Sequence, residues 1–88
     1  MTYRTSFILF GTRYEFMLNT ENLDRNYDDE NYAYWIVKRN GKYFEINIWK
    51  DDDGRLTGDG VVYGYSSRGS FEDGLHEDDK SEIIFLAA

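Results

Sequence analysis

The side chains suited to nucleophilic catalysis are few, and they gather in the C-terminal part of the sequence. The only histidine, His76, follows three serines: Ser66, Ser67 and Ser70. A serine hydrolase needs its nucleophile on a tight turn beside an oxyanion hole, with a histidine held as the base. No motif of that kind surrounds these serines, and the chain has no cysteine. We therefore expect that this protein is not an enzyme.

Carboxylates are abundant, but their spacing does not match a known metal-binding loop. Asp51 and Asp53 have the spacing of two ligands of a helix-flanked calcium loop, but Gly60 occupies the position where that loop needs a glutamate. Glycoside hydrolysis needs two carboxylates across a sugar cleft, and 88 residues leave little room for one. We expect no metal or cofactor. The alternative is a weak surface cation site built from Asp51, Asp53 and Asp59.

Negative charge is concentrated in the second part of the chain. The net charge is −7, with seven acidic and seven basic residues in 1–50 and ten acidic and three basic residues in 51–88. A field of this sign repels nucleic acids and anionic lipids and attracts basic protein surfaces. The carboxylates that we expect to contact a partner lie in three acidic runs: Asp28, Asp29 and Glu30; Asp51, Asp52, Asp53 and Asp59; and Glu72, Asp73, Glu77, Asp78 and Asp79. The alternative is that they only keep the protein soluble.

A β-hairpin is predicted to support the central acidic run. Asn40-Gly41 separates two β-rich segments, 32–39 and 42–49, and favours a type I′ turn, which fixes the pairing. One face of the hairpin is then entirely apolar, with three cross-strand pairs: Val37 with Phe44, Trp35 with Ile46, and Ala33 with Ile48. The opposite face is partly wet and carries four aromatic side chains that we add to the partner-binding set: Tyr32, Tyr34, Tyr43 and Trp49.

A second hairpin is predicted over residues 3–19. Its turn is expected at Gly11-Thr12, because a leading glycine suits type II′. This turn implies a core face with three cross-strand pairs: Leu9 with Tyr14, Phe7 with Phe16, and Thr5 with Leu18.

The other segments complete a mainly β domain that spans residues 1–88. Residues 20–31 are predicted to hold a short helix or a structured loop, 61–66 a strand, 67–81 a polar loop, and 82–87 an apolar strand buried on both faces. About six strands joined by short turns indicate a single small antiparallel sheet curled into a barrel or a sandwich, with one short helix near 20–30 at most.

The sequence favours a cytoplasmic protein. A small secreted domain would usually contain disulfides, and this chain has no cysteine. The apolar run at residues 7–10 is too short for a signal-peptide core or a membrane span. We expect no contact with membranes.

The leading functional interpretation is a small acidic protein that inhibits a basic, nucleic-acid-handling protein or nuclease. Carboxylates held on rigid loops can imitate the phosphates of a duplex and occupy a basic groove. This profile resembles that of small acidic phage proteins that block restriction or CRISPR enzymes, and of immunity proteins that cap basic toxin nucleases, although no motif assigns the chain to a family. Direct binding to nucleic acid is not expected, because the sequence pI is about 4.5.

Two other classes of function remain open. The aromatic face of the central hairpin suits a small carbohydrate- or nucleotide-binding module, because aromatic rings stack on sugars and bases. An exposed sheet edge would instead suit a structural component of a phage or other mobile element that pairs with its own copies.

Overall fold

The computed structural model describes residues 2–22, 31–74, 79–82 and 85–87. Within these ranges the chain forms seven β-strands in two antiparallel sheets, with one α-helix and one turn of 3-10 helix. The mainly β fold class is confirmed. The sheets pack in a sandwich-like arrangement and do not close into a barrel. Five predicted partner-binding residues lie outside the described ranges: Asp28, Asp29, Glu30, Glu77 and Asp78.

The first four strands form the two predicted hairpins. The strands are β1 (Thr2–Leu9), β2 (Thr12–Asn19), β3 (Tyr32–Arg39), β4 (Lys42–Lys50), β5 (Leu56–Tyr65), β6 (Asp79–Glu82) and β7 (Phe85–Ala87). A 3-10 turn, Thr20–Asn22, follows β2, and helix α1, Arg68–Asp73, follows β5. One sheet has the order β2-β1-β7 and the other has the order β3-β4-β5-β6.

The β3–β4 hairpin has the predicted register throughout. Asn40 and Gly41 have φ angles of 52° and 80°, as the two central positions of a type I′ turn require. Val37 pairs with Phe44, and the other predicted pairs follow in step. The register is fixed because the turn and the apolar alternation specify the same pairing.

The β1–β2 hairpin has a different turn from the predicted one. Phe10 and Gly11 are the central residues, with φ angles of 52° and 69°, so the turn is type I′ at 10–11 and not type II′ at 11–12. Phe7 therefore pairs with Tyr14 and not with Phe16. The shift is by two residues, so each side chain stays on its predicted face.

Tertiary contacts explain why Phe10 takes a left-handed conformation that costs free energy in a non-glycine residue. Its ring lies 6.4 Å from the ring of Phe44, centroid to centroid, and the ammonium of Lys42 lies 5.7 Å from its centroid. Its backbone N–H donates a 2.8 Å hydrogen bond to the carboxylate of Asp79. Sequence-based turn statistics contain none of these contacts.

The core lies between the two sheets and is dominated by aromatic rings. Its buried residues come from both hairpins and from β5: Phe7, Leu9, Phe16, Leu18, Ala33, Trp35, Phe44, Ile46, Ile48 and Val62. Phe7 stacks on Phe16 within one sheet, with centroids 5.8 Å apart, and Phe44 crosses from the other sheet at 5.5 Å from Phe7. These rings supply much of the apolar area that a chain of this length must bury.

The predicted polar loop at residues 67–81 contains two regular elements. Helix α1 is capped at its N-terminus by Ser67, whose side chain accepts a hydrogen bond from the N–H of Ser70. Gly74, in the left-handed conformation, is its C-cap. Six residues are too few to show a helical periodicity, so the helix was missed. Strand β6 begins at Asp79 and pairs with β5.

The C-terminal strand predicted for residues 82–87 is divided between the sheets. β6 forms the edge of the four-stranded sheet, and β7 pairs with β1 at the edge of the other sheet. The segment is therefore not a central strand of one sheet. Ile83 and Ile84 lie outside the described residues, as does most of the predicted helix near residues 20–30.

Strand β5 is longer than predicted because a bulge extends its pairing with β4. The register shifts between Ile48 and Lys50, so that Ile48 pairs with Gly60 while Lys50 pairs with Leu56. A Cβ atom on Gly60 would overlap the carbonyl oxygen of Asn47. Only glycine therefore fits where β5 enters the sheet.

Candidate partner-binding surface

The side of the four-stranded sheet that faces away from the core is aromatic, and we call it the outer face. The observed register places on this face the residues that alternate with the core positions of β3, β4 and β5. They are Tyr32, Tyr34, Ile36, Lys38, Tyr43, Glu45, Asn47, Trp49, Val61, Tyr63 and Tyr65. All four predicted aromatic contact residues are therefore on one face.

Helix α1 covers one end of the outer face. The ring of Phe71 stacks on Tyr43, with centroids 4.8 Å apart and planes at 19°, and meets Tyr65 edge-on at 5.5 Å. Tyr65 is buried as a result, and Tyr43 is half-buried. Tyr43 therefore offers a partner only part of its ring.

Beside α1 the outer face forms a groove of about 530 Å³, which we call the sheet groove. Its lining residues come from three strands and from α1 and its C-cap: Tyr32, Tyr34, Ile36, Glu45, Asn47, Tyr63, Phe71, Glu72 and Gly74. Tyr34 is only 7% exposed, so it offers a partner little of its side chain. Among the described residues, none donates a hydrogen bond to the carboxylate of Glu45 or forms an ion pair with it.

At the other end of the outer face, the bulge brings the backbones of Trp49 and Asp59 close together. Trp49 is 46% exposed, and the ring of Tyr32 meets it edge-on at 5.8 Å. The hydroxyl of Thr57 donates to the carbonyl of Trp49 at 3.0 Å and accepts from the N–H of Asp59 at 3.2 Å. We call Trp49, Asp59 and the adjoining turn residues 51–53 the acidic end.

Asp51 has a structural role within the acidic end. One of its carboxylate oxygens accepts hydrogen bonds from the N–H groups of Asp53 and Arg55, both at 2.9 Å. It therefore closes the β4–β5 turn. Within the described part of the chain, the exposed carboxylates of Asp52, Asp53 and Asp59 accept no such bonds and remain available to a partner.

Two described residues of the third acidic run, Glu72 and Asp79, also accept hydrogen bonds from within the protein. Glu72 accepts a 2.7 Å hydrogen bond from Arg68 one helical turn earlier, and this bond together with the charge of Glu72 raises the pKa of the Arg68 guanidinium. Arg68 therefore stays cationic and compensates Glu72. Asp79 binds the N–H of Phe10. Only Asp73 is exposed and, among the described residues, without a partner.

The described carboxylates do not form one continuous surface. Asp52 and Asp53 follow the C-terminal end of β4, whereas α1, with Glu72, packs over Tyr43 near its N-terminal end. Nine strand residues separate these ends by roughly 25–30 Å. Predicted carboxylates and predicted aromatics meet at the acidic end and in the sheet groove, where Glu72 lines the same cavity as Tyr32 and Tyr34. Glu72 is paired with Arg68, so the unpaired carboxylates of the predicted set meet aromatics at the acidic end.

Sequence reasoning missed six residues of the sheet groove: Ile36, Glu45, Asn47, Tyr63, Phe71 and Gly74. The predicted register already placed Glu45 opposite Ile36 and Asn47 opposite Tyr34, in the middle of an aromatic face. From that placement the sequence could have predicted two polar side chains in the middle of the aromatic face. For Phe71 the available signal was an apolar side chain in a predicted polar loop, which suggests an anchored residue but not its position over Tyr43, because the helix was not predicted.

The described ranges contain no group of three or more histidine, cysteine or acidic side chains placed to hold a metal ion, so Asp51, Asp53 and Asp59 do not form one. No helix among the residues that the structure describes is long and apolar enough to cross a membrane.

Comparison with known proteins adds no assignment to this geometry. No protein-family model, no curated protein and no solved structure matches the chain at a significant level.

Proposed function

We propose that this protein binds a basic protein partner through the outer face of its four-stranded sheet, and that it thereby inhibits a partner that handles nucleic acids. The observation that carries the proposal is the acidic end, where a half-exposed tryptophan stands beside carboxylates that the described part of the chain does not neutralise. Aromatic anchors supply most of the affinity of protein interfaces, and surrounding charges select the partner and speed encounter.

The local charge supports a cationic partner. Residues 49–59 contain four aspartates against one lysine and one arginine. Asp52 and Asp53 are held at the tip of a turn that Asp51 organises, so their positions are fixed before a partner arrives. Pre-organisation of this kind lowers the entropic cost of binding.

The experiment isolates the partner by affinity capture from a lysate of the native source at low salt, and then measures its affinity for the purified protein. The test variant is Asp52→Asn/Asp53→Asn. The control is Glu15→Gln/Glu21→Gln, which removes two exposed carboxylates elsewhere and changes the net charge equally. We expect at least a tenfold loss for the test variant and a much smaller loss for the control, because the contacts are local.

The salt dependence provides a second criterion. Affinity for the captured partner should fall steeply as ionic strength rises, because screening weakens exposed charge pairs. Equal losses in both variants would show that only the net charge matters. An affinity independent of salt would contradict the proposal.

A second candidate function is a small carbohydrate- or nucleotide-binding module. The sheet groove favours it, because Tyr63 and Phe71 line the groove together with the amide of Asn47, and amides commonly hold polar groups of such ligands. Trp49 fluorescence distinguishes the two functions. Quenching by oligosaccharides or oligonucleotides that is lost in Trp49→Ala, but retained in Asp51→Asn/Asp52→Asn/Asp53→Asn, would favour the module.

A further inference from the structure

The sheet groove contains a carboxylate without an internal counter-ion. Glu45 stands in the middle of β4 on the outer face, is partly buried, and has no hydrogen-bond or ion-pair partner among the described residues. The second carboxylate of the lining, Glu72, is already held by Arg68. No lysine or arginine is among the described residues that line the groove, although the pairing of Lys38 with Tyr43 and of Lys80 with Tyr63 places both lysines on the same face at its margins. The groove therefore presents one carboxylate that has no ion-pair partner among the described residues.

The residues around Glu45 indicate which kind of cationic group could pair with it. Ile36 lies directly opposite it on β3, and Tyr63 lies directly opposite it on β5. Phe71 closes the groove from above the sheet, and the amide of Asn47 is the next outward-facing group along β4. A ligand here meets a carboxylate and an amide between apolar and aromatic walls.

A guanidinium group fits such walls better than an ammonium group does. It is planar, so it can lie against aromatic rings, and its fork of N–H donors pairs with a carboxylate through two hydrogen bonds. A remaining N–H can reach an amide oxygen such as that of Asn47. An ammonium ion is more strongly hydrated and loses more on entering a partly apolar groove.

We propose that the sheet groove receives an arginine side chain of the protein partner, with its guanidinium paired to Glu45 and packed against Tyr63 and Phe71. This inference rests on the proposed function, because it assumes a basic partner on the outer face. It adds a specific anchor at a site separate from the acidic end.

The test uses the intact, ¹⁵N-labelled protein and the peptide acetyl-Gly-Arg-Gly-amide, titrated to millimolar concentration and followed by NMR. The control peptide contains citrulline in place of arginine, which keeps the shape of the side chain and removes its charge. The backbone amides of Glu45, Asn47 and Tyr63 should shift with the arginine peptide. The citrulline peptide should bind at least about tenfold more weakly, because hydrogen bonds to charged groups are the stronger ones.

The matched variants are Glu45→Gln and Glu15→Gln, which each remove one carboxylate but from opposite sheets. Glu45→Gln should lower the affinity for the arginine peptide about tenfold or more, and Glu15→Gln should leave it unchanged. A ¹⁵N spectrum of free Glu45→Gln that differs from the wild-type spectrum only near residue 45 shows that the variant is folded.

Three results would overturn the inference: no shifts at millimolar peptide, equal binding of both peptides, or equal effects of both variants. None of these decides the proposed function, which depends on the captured partner and on the variants at the acidic end. Loss of the captured partner in the acidic-end variant, with full binding to Glu45→Gln, would reject the arginine anchor alone.

Discussion

At the scale of single residues, the structure separates carboxylates that hold the fold from carboxylates that are free to bind. Asp51 and Asp79 both accept hydrogen bonds from backbone N–H groups. Asp52 and Asp73 are their exposed counterparts, without a partner among the described residues. This difference leads to two predictions that compare neighbouring aspartates.

Asp51→Ala should lower the free energy of unfolding by about 1–3 kcal/mol, because two turn N–H groups lose a charged acceptor. Asp51→Asn should cost less, since the amide oxygen still accepts hydrogen bonds. Urea unfolding followed by fluorescence measures both values. The control Asp52→Ala should stay within about 0.5 kcal/mol of the wild type. Equal stability of Asp51→Ala and Asp52→Ala would refute the structural role of Asp51.

Asp79→Ala should lower the free energy of unfolding by about 1–3 kcal/mol, because the N–H of Phe10 loses its acceptor in a turn that is already strained. The matched control is Asp73→Ala, which removes an exposed carboxylate with no described partner. Amide hydrogen exchange supplies the second measurement, and the N–H of Phe10 should exchange faster in Asp79→Ala. Unchanged exchange at Phe10 would contradict the contact.

At the scale of secondary-structure elements, the sequence correctly predicted strand pairing where the turn residues and the apolar alternation specify the same register. Asn40-Gly41 and the apolar alternation beside it specify one register, and that register is observed. In the other hairpin the faces were predicted correctly but the turn was not. The conformation of Phe10 is stabilised by Asp79, which is 69 residues away in the sequence. Such a contact leaves no trace in local sequence patterns.

The bulge between β4 and β5 depends on Gly60. Gly60→Ala should destabilise the protein by about 1–3 kcal/mol or more, because its Cβ would overlap the carbonyl of Asn47 in the neighbouring strand. Gly69→Ala is the matched control: its Cβ would meet no atom closer than 3.8 Å, and alanine favours the helix. It should be neutral or stabilising by up to about 1 kcal/mol. Thermal unfolding of both variants measures the difference.

A stable Gly60→Ala variant would show that β5 enters the sheet differently. The consequence would extend to the binding surface, because the bulge places Asp59 beside Trp49 through Thr57. The Gly60→Ala variant therefore tests both the bulge between β4 and β5 and the proposed binding surface.

At the scale of the whole molecule, the runs of charge that the structure describes do not form one surface in space. The runs at residues 51–53 and 72–73 are separated by the length of β4, about 25–30 Å. Sequence reasoning could predict that Trp49 and Tyr32 share a face, because the hairpin register was determined. It could not place α1 over Tyr43, so it missed the sheet groove.

The net charge of −7 is a property of the whole molecule that any basic peptide would sense. The account requires more than this general attraction, because it assigns binding to the outer face of one sheet. The outer face of the other sheet also exposes apolar side chains, with Ile8 51% and Met17 66% exposed. It therefore serves as an internal reference for unspecific binding.

The most direct test is an NMR map of where an arginine–glycine repeat peptide binds to the ¹⁵N-labelled protein. We predict shifts at Glu45, Asn47 and Asp59 that fade as salt is added, with little change around Ile8 and Met17. Shifts spread evenly over both sheets, or confined to the sheet that contains Ile8 and Met17, would contradict the central claim that the outer face of the four-stranded sheet is the binding surface.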